Sequence, residues 1–207
     1  MSPCGHSTQA KHLNSSSNKT ITETTFPTMT AISELSVTGR IDTRAYDNEQ
    51  LPDNWDDLST KEKLQTTREL EPVEEHTDYN TTVFGMHEYF AINLDPTQTL
   101  EEDVTHLAIG DDDTAPSDTN DTLNNEVFRK SVTDHSQTDN ELLASTFIES
   151  DEGNGETFRE VGLFAGGAEP GDAEFPDRLW NHSTIASIEK DNTRTITIDV
   201  TLTFSAA

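Results

Sequence analysis

The sequence predicts a mainly β protein with minor α: an antiparallel β-sandwich with one packed helix, preceded by an extended N-terminal arm and a short strand and helix region. Three observations lead there. Apolar and polar residues alternate with period two along several segments, most clearly over Thr195–Phe204, where Ile196, Ile198, Val200, Leu202 and Phe204 share one face and Thr195, Thr197, Asp199, Thr201 and Thr203 the other. Clusters of Gly, Pro, Asn and Asp separate these segments at short intervals. The first 25 residues are rich in Ser, Thr and Asn and hold too few apolar side chains to fold alone.

These features divide the chain into an extended polar arm (1–30), a strand and helix docking region (31–79) and the sandwich (80–207). Leu35, Val37, Gly39, Ile41 and Thr43 alternate with polar neighbours and predict a strand ending at Tyr46. Ser59 and Glu62 form a capping box, so a helix is expected to about Leu70, with Leu64 on its inner side and Pro72 beyond its end. Asn80 is placed to cap a second helix in which Val83, Met86, Phe90 and Leu94 form one inward stripe, closed by Pro96. Strands are then expected over Val104–Ile109, Glu126–Val132, Glu141–Glu149, Thr157–Phe164, Leu179–Ile188 and Thr195–Phe204, the last two joined as a hairpin through Asp191–Asn192.

Composition bounds the function. The 207 residues carry 40 Asp and Glu against 13 Lys and Arg, a formal net charge of −27, with 31% hydrophobic residues. Few apolar residues and high charge describe either a disordered chain or a folded protein adapted to multimolar salt, where the Debye length is about 3 Å or less. The ordered, periodic apolar segments select the halophilic folded protein. Nucleic-acid binding requires a Lys/Arg patch to neutralise phosphate, and the sequence has none. No apolar run approaches the roughly 20 residues that span a bilayer, so no membrane insertion is expected. Met1–Ser17 is polar and lacks a hydrophobic signal core, so no export signal is read there. With Cys4 as the one cysteine, no intrachain disulfide forms.

Three segments carry a resemblance. His106–Gly110 is followed by Thr114–Asp118; then comes Thr122–Leu123–Asn124–Asn125–Glu126–Val127–Phe128–Arg129, and then Arg159–Glu160–Val161–Gly162–Leu163–Phe164, before a closing Thr-rich strand. In that order they resemble the tail-fibre and baseplate-associated structural proteins of tailed viruses, over about Asn80 to Phe204. The resemblance implies a virion component without catalytic activity, made in the host cytoplasm and placed in the tail. Its implied partners are itself, as a homotrimer or a ring of three or six, and other tail proteins, with attachment to the host surface as a further role. The Asp111–Asp112–Asp113 triplet departs from the family pattern, which has Gly and Thr there.

No catalytic, cofactor-binding or metal-binding residue is assigned, and no cofactor. Asp111, Asp112, Asp113, Asp118 and Asp121 crowd one loop in the manner of hard-cation ligands, but the EF-hand glycine is missing and a solvated acidic loop is the reading. The seven histidines show no HxH or HExxH spacing, and His106 is read as a packed strand residue. The alternative functions are a metal-assisted hydrolase using the Asp cluster with His106, and a receptor-binding module. The loop Ala165–Arg178, with Phe175 and the following Trp180, is the candidate partner contact. Asn14, Asn18, Asn80, Asn120 and Asn181 begin N-x-[ST] triplets. Arg129 and Glu160 are expected to pair across the sheet and set strand register.

A charge of −27 is compatible with a compact state only when screened. Cooperative structure is therefore expected in molar salt and lost in dilute buffer. Circular dichroism melts that coincide in the two conditions would overturn this.

Overall fold

The computed structural model describes residues 35–95, 97, 103–166 and 178–206. The expected arm (1–30), Pro96 and Phe175 lie outside the described residues. Nine strands form one curled antiparallel sheet: β1 Leu35–Asp47, β2 Glu74–Thr82, β3 Val104–Gly110, β4 Glu126–Ser131, β5 Asp134–Thr138, β6 Glu141–Ile148, β7 Thr157–Ala165, β8 Arg178–Glu189 and β9 Arg194–Ala206, in the order β4-β3-β7-β8-β2-β1-β9-β6-β5. The 31–79 region thus shares its sheet with the 80–207 region.

The period-two pattern becomes the curl. On β9 the side chains of Ile196, Ile198, Val200 and Leu202 are wholly buried and face inward. Ile41 and Ala45 of β1, and Ala144 and Ile148 of β6, lie beside them in register. From the other half of the sheet, Leu107, Ile109, Val161, Leu163 and Ile188 enter the same core. Each such side chain contributes roughly 1.5–3 kcal/mol by leaving water. Both halves of the sheet therefore wrap one interior.

The two outermost strands are consecutive in sequence. Only Val132 and Thr133 separate β4 from β5; the Val132 amide donates to Thr105 O (2.9 Å) beside β4, and the Thr133 amide to Ser145 O (2.8 Å) beside β5. A single bent segment therefore closes the curl against β3 on one side and β6 on the other. His135 of β5 adds a link across this seam, with Nε2 2.8 Å from Val104 O.

Helix α1, Thr60–Thr67, begins at the expected capping box: the Glu62 amide donates to Ser59 Oγ (3.4 Å) and the Ser59 amide to Glu62 Oε2 (2.9 Å). It lies on the outer face of the sheet, where Leu64 packs with Trp55 and Phe147, whose rings meet edge-on at 5.7 Å. Helix α2, Phe84–Asn93, packs on the core through Met86, Tyr89 and Phe90. Tyr89 and Phe90 lie 4.8 and 6.4 Å from Trp180, and Phe90 meets Phe204 at 5.9 Å.

Several expectations are corrected. Asn80 caps no helix: it lies in β2 opposite Gly39, where a Cβ would come within 1.9 Å of the Asn80 side chain. The N-cap of α2 is Val83, and the first helical amide, Phe84, donates to Asp118 O (2.8 Å). Leu94 points outward and is 84% exposed. β8 and β9 make no hairpin, because β8 pairs with β7 and β2 while β9 pairs with β1 and β6. The connection between them is tied to other loops, with Lys190 N donating to Glu156 O and Asn48 N to Thr193 O. That draws the two strands into different halves of the sheet. β5 (DHSQT) has no apolar alternation and is a strand only through its pairing with β6.

Outside the loop 111–125, three carboxyls are held below the usual range by hydrogen bonds: Glu62 by Ser59 within the α1 cap, Asp134 by Lys61 of α1, and Asp191 by Thr193 in the β8–β9 connection. A depressed carboxyl favours the folded state once it is ionised. The stability it adds is thus in place above the unfolded value of about 4 and lost as the pH falls through the lower folded value. In molar salt, the thermal midpoint is expected to fall on acidification from about pH 5 to about pH 3. Asp191→Asn should flatten that dependence, measured by thermal melts across the series.

Candidate functional site

Several of the residues that carry the resemblance, Gly110, Leu123, Asn124, Asn125, Glu160 and Gly162, meet on the outer face of β3, β7 and β8 beneath the loop 111–125. Its centre is Glu160 of β7, which has no solvent exposure. Glu160 Oε1 accepts the Asn125 amide (2.7 Å), and Oε2 accepts the Asn124 amide (3.1 Å) and lies 2.7 Å from His182 Nε2. His182, on β8 and equally buried, has Nδ1 3.3 Å from Asn120 Oδ1. The carboxylate thus fastens the far end of the loop by two backbone amides and its middle through His182 and Asn120.

Glycine positions are explained by this packing. Gly110 lies opposite Glu160 in register, and a Cβ there would come within 2.2 Å of Glu160 Oε1. A Cβ at Gly162 would come within 2.7 Å of Leu179 and 2.9 Å of Leu123. Leu123 leaves the loop to join Val83, Ala108, Phe164 and Leu179 in a second apolar cluster on the outer face. The loop is therefore pinned by an apolar plug and a buried carboxylate together.

Arg129 does not meet Glu160. Its Nε and Nη2 donate to the two oxygens of Glu126 at 2.7 Å each, and its guanidinium lies 4.0 Å above the Phe164 ring. Arg129 stands opposite Ala108 on β3, whereas Glu160 stands opposite Gly110, two positions along. Register separates the two, and Glu160 takes its partners from β8 and the loop. His182 and Asn120 carried no local sequence signal for this role beyond the N-x-[ST] triplet at Asn120.

The acidic side chains of the loop spread over local contacts. Asp111 accepts the Asn125 side-chain amide (2.6 Å), and Asp112 accepts the Thr114 amide (2.7 Å); the Thr114 side chain and then its amide hold the Asp112 carboxyl below its usual range. Among the described residues, no three His, Cys, Asp or Glu side chains converge as a metal site. His106 lies five residues down β3 from the start of the loop at Asp111, about 17 Å along an extended strand. Its ring faces Thr105 Oγ1 (2.9 Å) and Ser131 Oγ (3.3 Å). The two halves expected of a hydrolase are not brought together.

Two clefts lined by described residues hold their cations in ion pairs. One, about 710 Å³, has Trp55 and Lys63 beside Asp53, Glu149 and Glu152; Lys63 is bonded to Glu149. A second, about 420 Å³, presents Arg44 and Arg68, both engaged by Asp199. The N-x-[ST] asparagines Asn80 and Asn181 have buried amide groups, with Asn181 Oδ1 accepting the Leu163 amide. Trp180, read as a possible partner contact, is a core residue on β8.

The other distinctive surface is the outward side of α2. Tyr79, Phe84 and Leu94 are 77%, 61% and 84% exposed. Over the 16 positions from Tyr79 to Leu94 the one acidic residue is Glu88, and it is paired with Arg178. No helix among the described residues is long and apolar enough to cross a membrane. No protein family, no curated protein and no solved structure matches this chain.

Removing the Glu160 carboxyl group strands His182 and two amides in a site sealed from solvent. Glu160→Ala is expected to cost at least about 3 kcal/mol, since each buried polar group left without a partner costs about 1–3 kcal/mol, measured by denaturant unfolding. The same variant should become cleavable within 111–121 under native conditions. An unchanged digestion pattern would show that the loop is held by other contacts.

Proposed function

We propose that this chain is a structural protein of the virion of a tailed virus of extremely halophilic archaea, a part of the tail tip that acts by protein–protein contact and not by catalysis. The observation that carries this reading is the use to which the resembling motifs are put. Gly110, Leu123, Asn124, Asn125, Glu160 and Gly162 are all spent on fastening one loop to the sheet, and the one strongly polar centre among them is sealed from solvent. A catalytic centre needs titratable groups converging on an accessible pocket. An assembly protein needs a rigid scaffold with loops held in fixed positions.

In this reading the curled sheet is the sandwich domain of a tail-fibre or baseplate component. The carboxylate surface keeps it soluble in multimolar salt, and contacts with its own copies and with other tail proteins form through charge-poor surface. Host attachment is a further role of the same apparatus. The chain is made in the host cytoplasm and incorporated during assembly.

Mass spectrometry of purified virus particles from the host carrying this sequence tests the proposal. The chain is expected in intact particles at a fixed low copy number, and with the tail fraction after heads and tails are separated. Particles lacking the chain, or a chain found only in soluble host extract, would overturn it.

A further inference from the structure

We infer that α2 is a self-association surface, through which two copies of this chain pack α2 against α2, antiparallel, about a two-fold axis. The outward side of α2 carries Phe84, His87, Ala91 and Leu94, all exposed and spaced three, four and three. That spacing is one continuous stripe of a helix. The inward side is occupied by Met86, Tyr89 and Phe90. The helix thus carries large apolar side chains on both sides, and in the single chain Phe84 and Leu94 on the outward side are open to water.

The stripe reads the same from either end. When a second copy is laid across it on a two-fold axis, Phe84 meets Leu94 of the second copy and His87 meets Ala91 of the second copy. Each of these layers pairs a larger side chain with a smaller one and occurs twice, as an isologous contact requires. A stripe of uneven spacing would not superpose on its own reverse.

Charge selects a second copy as the occupant. Two chains of net charge −27 repel wherever their carboxylates face each other. Between Tyr79 and Leu94 the single carboxylate, Glu88, already has its cation within the chain. Along α2 itself, therefore, one copy can approach another without opposing unpaired acids. A basic partner would be drawn to the carboxylate surface instead. The inference deepens the assembly reading and takes its setting from it: a two-fold contact fits six copies as three pairs, and does not by itself close a trimer.

The test uses the full chain with Cys4→Ser, in about 2 M salt so that long-range repulsion is screened. Sedimentation equilibrium is expected to show a reversible dimer. Leu94→Glu should weaken it at least about 30-fold, the loss typical of an interface anchor, with the circular dichroism spectrum unchanged. The double variant His87→Cys/Ala91→Cys should form inter-chain disulfides under mild oxidation, because the antiparallel register places these positions together. Should Leu94→Glu perturb the fold, Phe84→Ser and the cross-link decide. A monomer at all concentrations, a dimer indifferent to both stripe variants, or a dimer that fails to cross-link would each overturn the inference. None of these outcomes bears on whether the chain is present in virus particles, which the particle analysis decides separately.

Discussion

A shortage of apolar residues governs this structure. With 31% hydrophobic residues, the chain can supply one continuous apolar face and little more. A flat nine-stranded sheet would need a second layer to cover that face. Curling brings the inner rows of β1, β6 and β9 against those of β3 and β7, so each row covers another. The bent segment at Val132 and Thr133 carries the chain across the seam, bonded to Thr105 beside β4 and to Ser145 beside β5. The outer face remains polar except where α1 and the loop 111–125 each shield a small apolar cluster.

The loop shows how an acidic chain orders a segment with little hydrophobic content. Leu123 alone is a modest anchor. The Glu160 carboxylate adds charge-assisted hydrogen bonds from two backbone amides and a histidine in a site without solvent. Such bonds are stronger than neutral ones and more costly to leave unmade. The arrangement specifies the loop conformation closely, because a shifted loop would leave a buried carboxylate short of donors. Glycine at 110 and 162 is the steric condition for bringing the loop that close.

Helix α2 joins the scaffold to the proposed contact. Its inward aromatic side closes over the core, its first amide is satisfied by the loop at Asp118, and its outward side presents an apolar stripe on a carboxylate surface. The element that bears the proposed contact is thus held by both of the devices that order the rest of the molecule. A rigid helix exposing a charge-poor stripe fits an assembly component better than an enzyme, whose reactive groups must be reachable.

Local pattern determined a good deal by itself. The alternation in Thr195–Phe204 set which side of β9 is buried, because a strand's side chains must alternate. Ser59 and Glu62 marked the start of α1, because a capping box closes within four residues. Most strand positions followed from the same period and from the turn residues between them. What tertiary structure alone decided was partnership. Alternation names the buried face of a strand but not its neighbour, so β8 and β9, close in sequence, went to different halves of the sheet. The polar run at β5 became a strand only because β6 offered it an edge. Glu160 found His182 and two amides rather than Arg129, because register sets charged groups side by side or apart, and register is a property of the assembled sheet. For the same reason Leu94 could be read as an inner residue of α2: helical spacing marks a stripe, and only the packed core shows that α2 has two of them.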